Sequence, residues 1–91
     1  MKLESGMLVE FSTVMIPNRR KVGLVLGHKA EREPVSVIVF REHGILEDVW
    51  RTEENDVNPF TGGKHKEIKQ MLKLMVVMSS RGEIRKYAKQ L

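Results

Sequence analysis

The residues best suited to acid–base or metal chemistry in this chain are its three histidines, His28, His43 and His65. Each stands beside a glycine or a lysine in a turn-forming segment. None has a ligand-type residue four positions away on a predicted helix, which is the spacing that zinc-binding helices use. His28, His43 and Asp48 could meet at one end of the fold, but that group would lack a nucleophile. The sequence therefore predicts no catalytic residue, no metal site and no cofactor.

A second candidate is the segment Thr61–Lys64, which partly matches a phosphate-binding loop. The full pattern Gly-x-x-x-x-Gly-Lys-Ser/Thr fails twice, because Asn58 replaces the first glycine and His65 replaces the hydroxyl residue that would hold magnesium. A flexible hinge followed by the start of a helix accounts for the same residues. The chain also has no cysteine, which excludes disulfides, thiolate metal sites and a cysteine nucleophile.

Five carboxylates are concentrated in a short stretch that ends the predicted sheet. Paired catalytic carboxylates need burial, which raises the pKa of one partner, and so many acids in one stretch instead indicate solvent exposure. The stretch is either a solvated sheet edge or a docking site for a basic helix, which could be the tail of this same chain. Its members are Glu47, Asp48, Glu53, Glu54 and Asp56.

Three consecutive cations, Arg19, Arg20 and Lys21, follow Asn18 in what we expect to be the first long turn. Such a group suits contact with phosphates. Proteins that bind single strands also need exposed aromatic side chains for stacking, and strand alternation buries most of the few aromatic residues here. Nucleic-acid binding through these three cations and the basic tail is therefore the alternative function, beside an ordinary solvated turn.

Charge divides the chain into two parts. Residues 1–60 contain eight Lys or Arg and ten Asp or Glu, a net charge of −2, whereas residues 61–91 contain eight and two, a net charge of +6. A chain of 91 residues is long enough for one domain, or for one domain with an appended helix. The split predicts a β domain over 1–60 and a basic tail over 61–91 that has its own partner.

The first part reads as short β segments separated by turns. Strands at such short intervals, with no helix between them, favour a small antiparallel barrel of about five strands followed by a helical tail. We expect Val35–Phe40, which is apolar on both faces, to be the central strand. The other predicted features are a first strand over Met7–Phe11 that could extend to Ile16, a turn at Pro17-Asn18, a second strand over Val22–Gly27, a charged loop over Lys29–Pro34, a three-residue hairpin over Glu42–Gly44, a fourth strand over Ile45–Arg51 and a short last strand at Asp56-Val57.

The tail has the period of an amphipathic helix. Its apolar residues recur three and four positions apart at Ile68, Met71, Leu72 and Met75. Lys66, Lys69 and Lys73 fall on the other side of the helix, and Leu74, Val76 and Met78 widen the apolar arc to about half the circumference. A helix with so broad an arc needs contacts on more than one side. The stretch Leu72–Met78 could instead be a strand.

A break is expected near Ser79-Ser80, after which a second helix begins. Ser80 and Glu83 have the spacing of a capping box, in which each side chain binds a backbone N–H at the start of the helix. Ile84, Tyr87 and Leu91 then give the second helix an apolar stripe.

Two segments carry a resemblance to a known family. Lys21–Leu26 looks like the glycine-centred second strand of small SH3-like barrels of the KOW type, and Gly6–Phe11 resembles their opening strand. Val35–Phe40, Glu47–Trp50 and Asp56-Val57 continue the same layout, so the resemblance covers residues 6–60. The arrangement is similar to short accessory proteins of tailed bacteriophages. It implies a barrel fold and a phage setting, and it assigns no functional residue.

Together these features favour a non-catalytic structural or adaptor protein that docks on other protein subunits, or on copies of itself, through its helical tail. The expected setting is a small phage virion or accessory protein. We expect no small-molecule substrate and no membrane partner. The predicted protein contacts are Ile68, Met71, Met75, Met78, Lys66, Lys69 and Lys73.

The expected location is cytoplasmic or virion-associated. No apolar run follows Lys2, so the sequence predicts no secretory signal. The longest apolar run, Leu74–Met78, is far shorter than a membrane span.

Overall fold

The structure, a computed structural model, describes residues 2–13, 16–29 and 35–91. Within them five strands precede the helices, and every pair of neighbouring strands is antiparallel. The strand order is β4-β3-β2-β1-β5. The prediction of a small antiparallel sheet followed by a helix is confirmed, but the sheet is open, with β4 and β5 at its edges. The elements are β1 (Leu8–Thr13), β2 (Ile16–His28), β3 (Val35–Glu42), β4 (Ile45–Thr52), β5 (Val57–Pro59), α1 (His65–Val77), α2 (Gly82–Arg85) and a 3-10 turn (Ala88–Gln90).

Side chains alternate across each strand, so each face of the sheet contributes to one buried cluster. One cluster consists of side chains of the sheet and Leu3, and the other is covered by the C-terminal helices. β3 lies between β2 and β4, which confirms its predicted interior position. The inner cluster comprises Leu3, Val9, Phe11, Val25, Ile38, Phe40 and Val57. The outer cluster comprises Leu8, Leu24, Leu26, Val37, Val39, Leu72, Val76, Ile84 and Tyr87.

A glycine makes the approach of β2 to β3 possible. A Cβ atom on Gly23 would lie 2.5 Å from Cγ2 of Ile38 and 2.8 Å from the backbone oxygen of Val39. Gly23→Ala is therefore expected to destabilise the protein by about 1–3 kcal/mol through overpacking. This loss outweighs the roughly 0.5–1 kcal/mol that alanine gains over glycine in unfolded-chain entropy.

Urea unfolding followed by circular dichroism measures this effect. The matched control is Gly63→Ala, since a Cβ there would have no atom within 4 Å, and its stability should stay within about 0.5 kcal/mol of the parent. Equal stability of the two variants would contradict the close approach at Gly23.

The predicted turn at Pro17-Asn18 is wrong, because both residues belong to β2, as do the backbones of Arg19, Arg20 and Lys21. Ser12 pairs with Arg20 while the next residue of β1 pairs with Ile16, so three residues of β2 have no partner in β1. Proline has no N–H to donate to a ladder and is tolerated where pairing is interrupted. The possible extension of the first strand to Ile16 is wrong, because β1 ends at Thr13 and Ile16 is the first residue of β2. Of the charged loop predicted over Lys29–Pro34, residues 30–34 lie outside the described ranges.

The β3–β4 hairpin has a two-residue loop in place of the predicted three-residue one, because Glu42 pairs with Ile45. His43 and Gly44 have φ values of 52° and 77°. Positive φ at both central residues is the type I′ turn, whose twist matches that of two-residue hairpins. The last strand, Val57–Pro59, begins one residue later than predicted and ends two residues later.

The stretch Leu72–Met78, for which the sequence left helix and strand open, is helical: α1 contains it up to Val77. A break at Ser79-Ser80 follows, as predicted. The predicted capping box does not form, because α2 begins at Gly82 with Arg81 as its N-cap and has no side-chain cap. The hydroxyl of Ser79 instead accepts a hydrogen bond from the N–H of Arg81, at 3.1 Å.

Candidate interaction surfaces

The three histidines have three different environments. Nδ1 of His28 lies 3.2 Å from the hydroxyl of Ser36. His43 contacts the Glu42 carboxylate beside the hairpin turn, and the ring of His65 is stacked on that of Phe60. Over residues 2–13, 16–29 and 35–91, no three histidines or carboxylates are grouped as metal ligands. The structure therefore does not bring His28, His43 and Asp48 together.

Asp48, from the predicted acidic stretch, binds the C-terminal part of its own chain. Its Oδ1 lies 2.7 Å from Nη2 of Arg81, whose Nε also donates to Glu83 at 3.1 Å. Hydrogen bonds to Asp48 and then to Glu83 raise the pKa of Arg81. The backbone N–H of Glu83, followed by Arg81, lowers the pKa of the Glu83 carboxyl. The ion pair between Arg81 and Asp48 holds the segment between α1 and α2 against β4.

Two of the three cations proposed for phosphate contact are already paired with acids. Nη2 of Arg20 lies 3.5 Å from Oδ1 of Asp56. Lys21 forms an ion pair with Glu42, and the side chain of Arg19 lies outside the described part. Since these residues follow one another in β2, Arg20 and Lys21 project to opposite faces of the sheet. The structure therefore does not assemble them into one cationic patch.

An apolar surface lies between the C-terminal half of α1 and the start of β4. It surrounds a groove of about 400 Å³ with Arg81 at its margin. Three of its side chains are largely exposed: Ile45 at 62 %, Leu74 at 59 % and Met78 at 75 %. We call this the α1–β4 surface, and its apolar residues are Ile45, Leu46, Leu74, Met75 and Met78.

Two of the predicted protein contacts, Met75 and Met78, belong to the α1–β4 surface, but Ile68 and Met71 do not. These two are half-buried and pack against the outer cluster. Leu72 and Val76 are the buried residues of α1, and at about 100° per residue Leu74 lies about 160° from both. The helical period therefore showed that Leu72 and Leu74 could not both face the sheet, but it did not show which of them would be exposed. Nothing in the sequence distinguished the exposed Ile45 from its neighbour Leu46.

The predicted lysines Lys66, Lys69 and Lys73 lie on one flank of α1. Lys66 is exposed, while Lys69 and Lys73 are half-buried, so the row borders the packed face and does not oppose it. With Gln70 they line a second, smaller hollow of about 230 Å³. Within the described ranges, none of the three lies within ion-pair distance of a carboxylate.

No helix in the described part of the chain combines the length and the apolar character needed to cross a membrane.

Comparisons with protein-family models, with curated proteins and with solved structures give no match to this chain.

Proposed function

We propose that this chain is a non-catalytic structural or adaptor protein that assembles with other protein subunits through the α1–β4 surface. The subunit that binds at this surface is a second copy of the chain. The observation that carries the proposal is the contiguous exposure of Ile45, Leu74 and Met78 around a groove. Large apolar side chains grouped in this way are typical of protein interfaces.

Two properties of the surface favour a second copy. It has protruding side chains and a groove side by side, so two copies related by a twofold axis can each fill the groove of the other. Its marginal cation, Arg81, is neutralised within the chain by Asp48 and Glu83. The groove therefore carries no charge that a partner of opposite sign would have to neutralise. The partner should contact it mainly through apolar side chains.

We also assign the sheet to the small SH3-like barrels, as an incompletely closed member. The inner cluster draws side chains from both edges of the sheet, since Val57 of β5 belongs to it and Val49 of β4 packs against it. Nη2 of Arg51 in β4 donates to the backbone oxygen of Ser12 in β1 at 3.2 Å, although these strands are not neighbours. The setting in a tailed phage rests on the resemblance of residues 6–60.

The proposal predicts that Leu74→Gln/Met78→Gln abolishes self-association. Burial of one such side chain contributes about 1.5–3 kcal/mol, so the double variant should dissociate at least about 100-fold more readily. Sedimentation velocity from about 5 to 200 µM, together with circular dichroism of each variant, measures association and folding separately. Glutamine is a good helix former, and both positions are exposed, so the variant should remain folded.

The matched control is Lys66→Gln/Glu67→Gln, which changes two exposed residues of the same helix and leaves the net charge unchanged. It should associate like the parent. A parent chain that stays monomeric throughout this concentration range would overturn the proposal. Equal association by the parent and by Leu74→Gln/Met78→Gln would place the interface elsewhere.

A further inference from the structure

Within the described part of the chain the lysine row on α1 has no ion-pair partner, unlike Arg20, Lys21 and Arg81. Lys66, Lys69 and Lys73 lie along one flank of the helix and, with a rise of 1.5 Å per residue, span about 10 Å. Two of them are half-buried, which keeps their charges close to the protein surface. A row of unneutralised cations of this length matches a short run of phosphates, and binding would release the counterions of those phosphates.

A cleft with two rings continues from this row. The cleft has a volume of about 400 Å³ and is lined by the loop before β1, by the end of β5 and by the first turns of α1. Its walls include Phe60 and His65, whose ring centroids lie 6.2 Å apart with an interplanar angle of 11°. Lys69 lines both the cleft and the neighbouring hollow, so the cations and the rings form one continuous surface.

We propose that this surface binds single-stranded nucleic acid, with phosphates on the lysine row and a base against Phe60 or His65. Cations that follow the backbone beside rings that stack on bases are the two components shared by proteins that bind single strands without sequence preference. A base in a duplex cannot reach the rings unless it is unstacked, so the cleft selects for a single strand. The site lies on a different flank of α1 from Leu74, and it does not depend on the proposed self-association.

The proposed site lies in the basic tail, which the sequence suggested for nucleic-acid contact, and it leaves out the cations of β2, which the sequence also suggested. Arg20 and Lys21 have carboxylate partners, whereas the lysine row has none in the described part of the chain. Of the two aromatic residues of the cleft, His65 is exposed and Phe60 is half-buried.

The test is a binding titration of the full chain against a labelled oligothymidine of fifteen nucleotides, followed by fluorescence anisotropy at pH 7.5 and at salt concentrations from 50 to 200 mM. With three or four phosphate contacts, the logarithm of the association constant should fall with the logarithm of salt with a slope of about −2 to −3. Lys66→Gln/Lys69→Gln/Lys73→Gln should weaken binding at least about tenfold. His65→Ala should weaken it about fivefold or more through lost stacking.

The matched control is Arg85→Gln/Lys86→Gln/Lys89→Gln, which removes the same charge from three exposed residues elsewhere and should change binding less than about threefold. Equal losses in the two triple variants would mean that net charge alone attracts the strand, and would overturn the site. Tighter binding to a duplex of the same length would also overturn it, as would the absence of binding at 50 mM salt. Equally tight binding of polyglutamate, lost in the same variant, would assign the row to an acidic protein partner instead.

Discussion

Truncation after Phe60 is expected to unfold the protein. The outer cluster takes five side chains from the sheet and four from the C-terminal segment, namely Leu72, Val76, Ile84 and Tyr87. Burial of each of these four contributes about 1.5–3 kcal/mol, or about 6–12 kcal/mol together. The whole margin of a small domain is about 5–15 kcal/mol. Far-ultraviolet circular dichroism and urea titration of residues 1–60 should therefore show no cooperative transition.

Truncation after Tyr87 is the matched control, because it removes the terminal residues but keeps all four buried side chains. It should retain a cooperative transition at a lower urea concentration than the parent, since Ala88 and Leu91 pack against the outer cluster. A native β spectrum and a cooperative transition for residues 1–60 would contradict the expectation. That result would instead support the division into a β domain and a tail at residue 60, which stays a prediction.

Ile38→Ala is expected to lower the free energy of unfolding by about 2–5 kcal/mol. Ile38 is 0 % exposed and pairs with Val25 on one side and Val49 on the other. It belongs to the inner cluster, in which the rings of Phe11 and Phe40 meet edge to face at 5.4 Å. The shortened side chain would leave a cavity that these packed neighbours can fill only in part.

Ile45→Ala provides the matched control, because it makes the same chemical change at a residue that is 62 % exposed. Its stability should remain within about 0.5 kcal/mol of the parent. Urea unfolding of both variants at a protein concentration at which the parent is monomeric gives the comparison, since Ile45 also belongs to the α1–β4 surface. If Ile38→Ala were as stable as Ile45→Ala, β3 would not be an interior strand with one face in the inner cluster.

Periodicity in the sequence predicted most of the elements, because burial on a strand or helix face leaves a regular apolar pattern. The central position of β3 followed from apolar residues on both of its faces, and α1 followed from the spacing of Ile68, Met71 and Leu72. Periodicity could not place Arg20 in a strand. The irregular pairing of Ser12 and its neighbour is a property of two strands together, and no local residue pattern encodes it.

The interaction surfaces were only partly predictable, for a related reason. Half of the circumference of α1 is apolar, and a helical period does not indicate which part of that arc meets the sheet. Tertiary packing buries Leu72 and leaves Leu74 exposed. The carboxylates that neutralise Arg20 and Lys21 are 36 and 21 residues away in the sequence. Only the folded structure distinguishes these cations from the lysine row, which has no carboxylate partner in the described part of the chain.

The outer cluster also fixes when this protein can fold during its synthesis. Ile84 and Tyr87 come after all the strands of the described part, so the ribosome must synthesise the segment that contains α2 before this cluster can form. Although every strand lies in the first 60 residues, those strands leave the ribosome with one aliphatic face uncovered. Transiently exposed surfaces of this kind promote aggregation. The sheet can accordingly complete its packing only after α2 has been synthesised, and Leu8, Leu24 and Val39 are among the apolar side chains that stay uncovered until then.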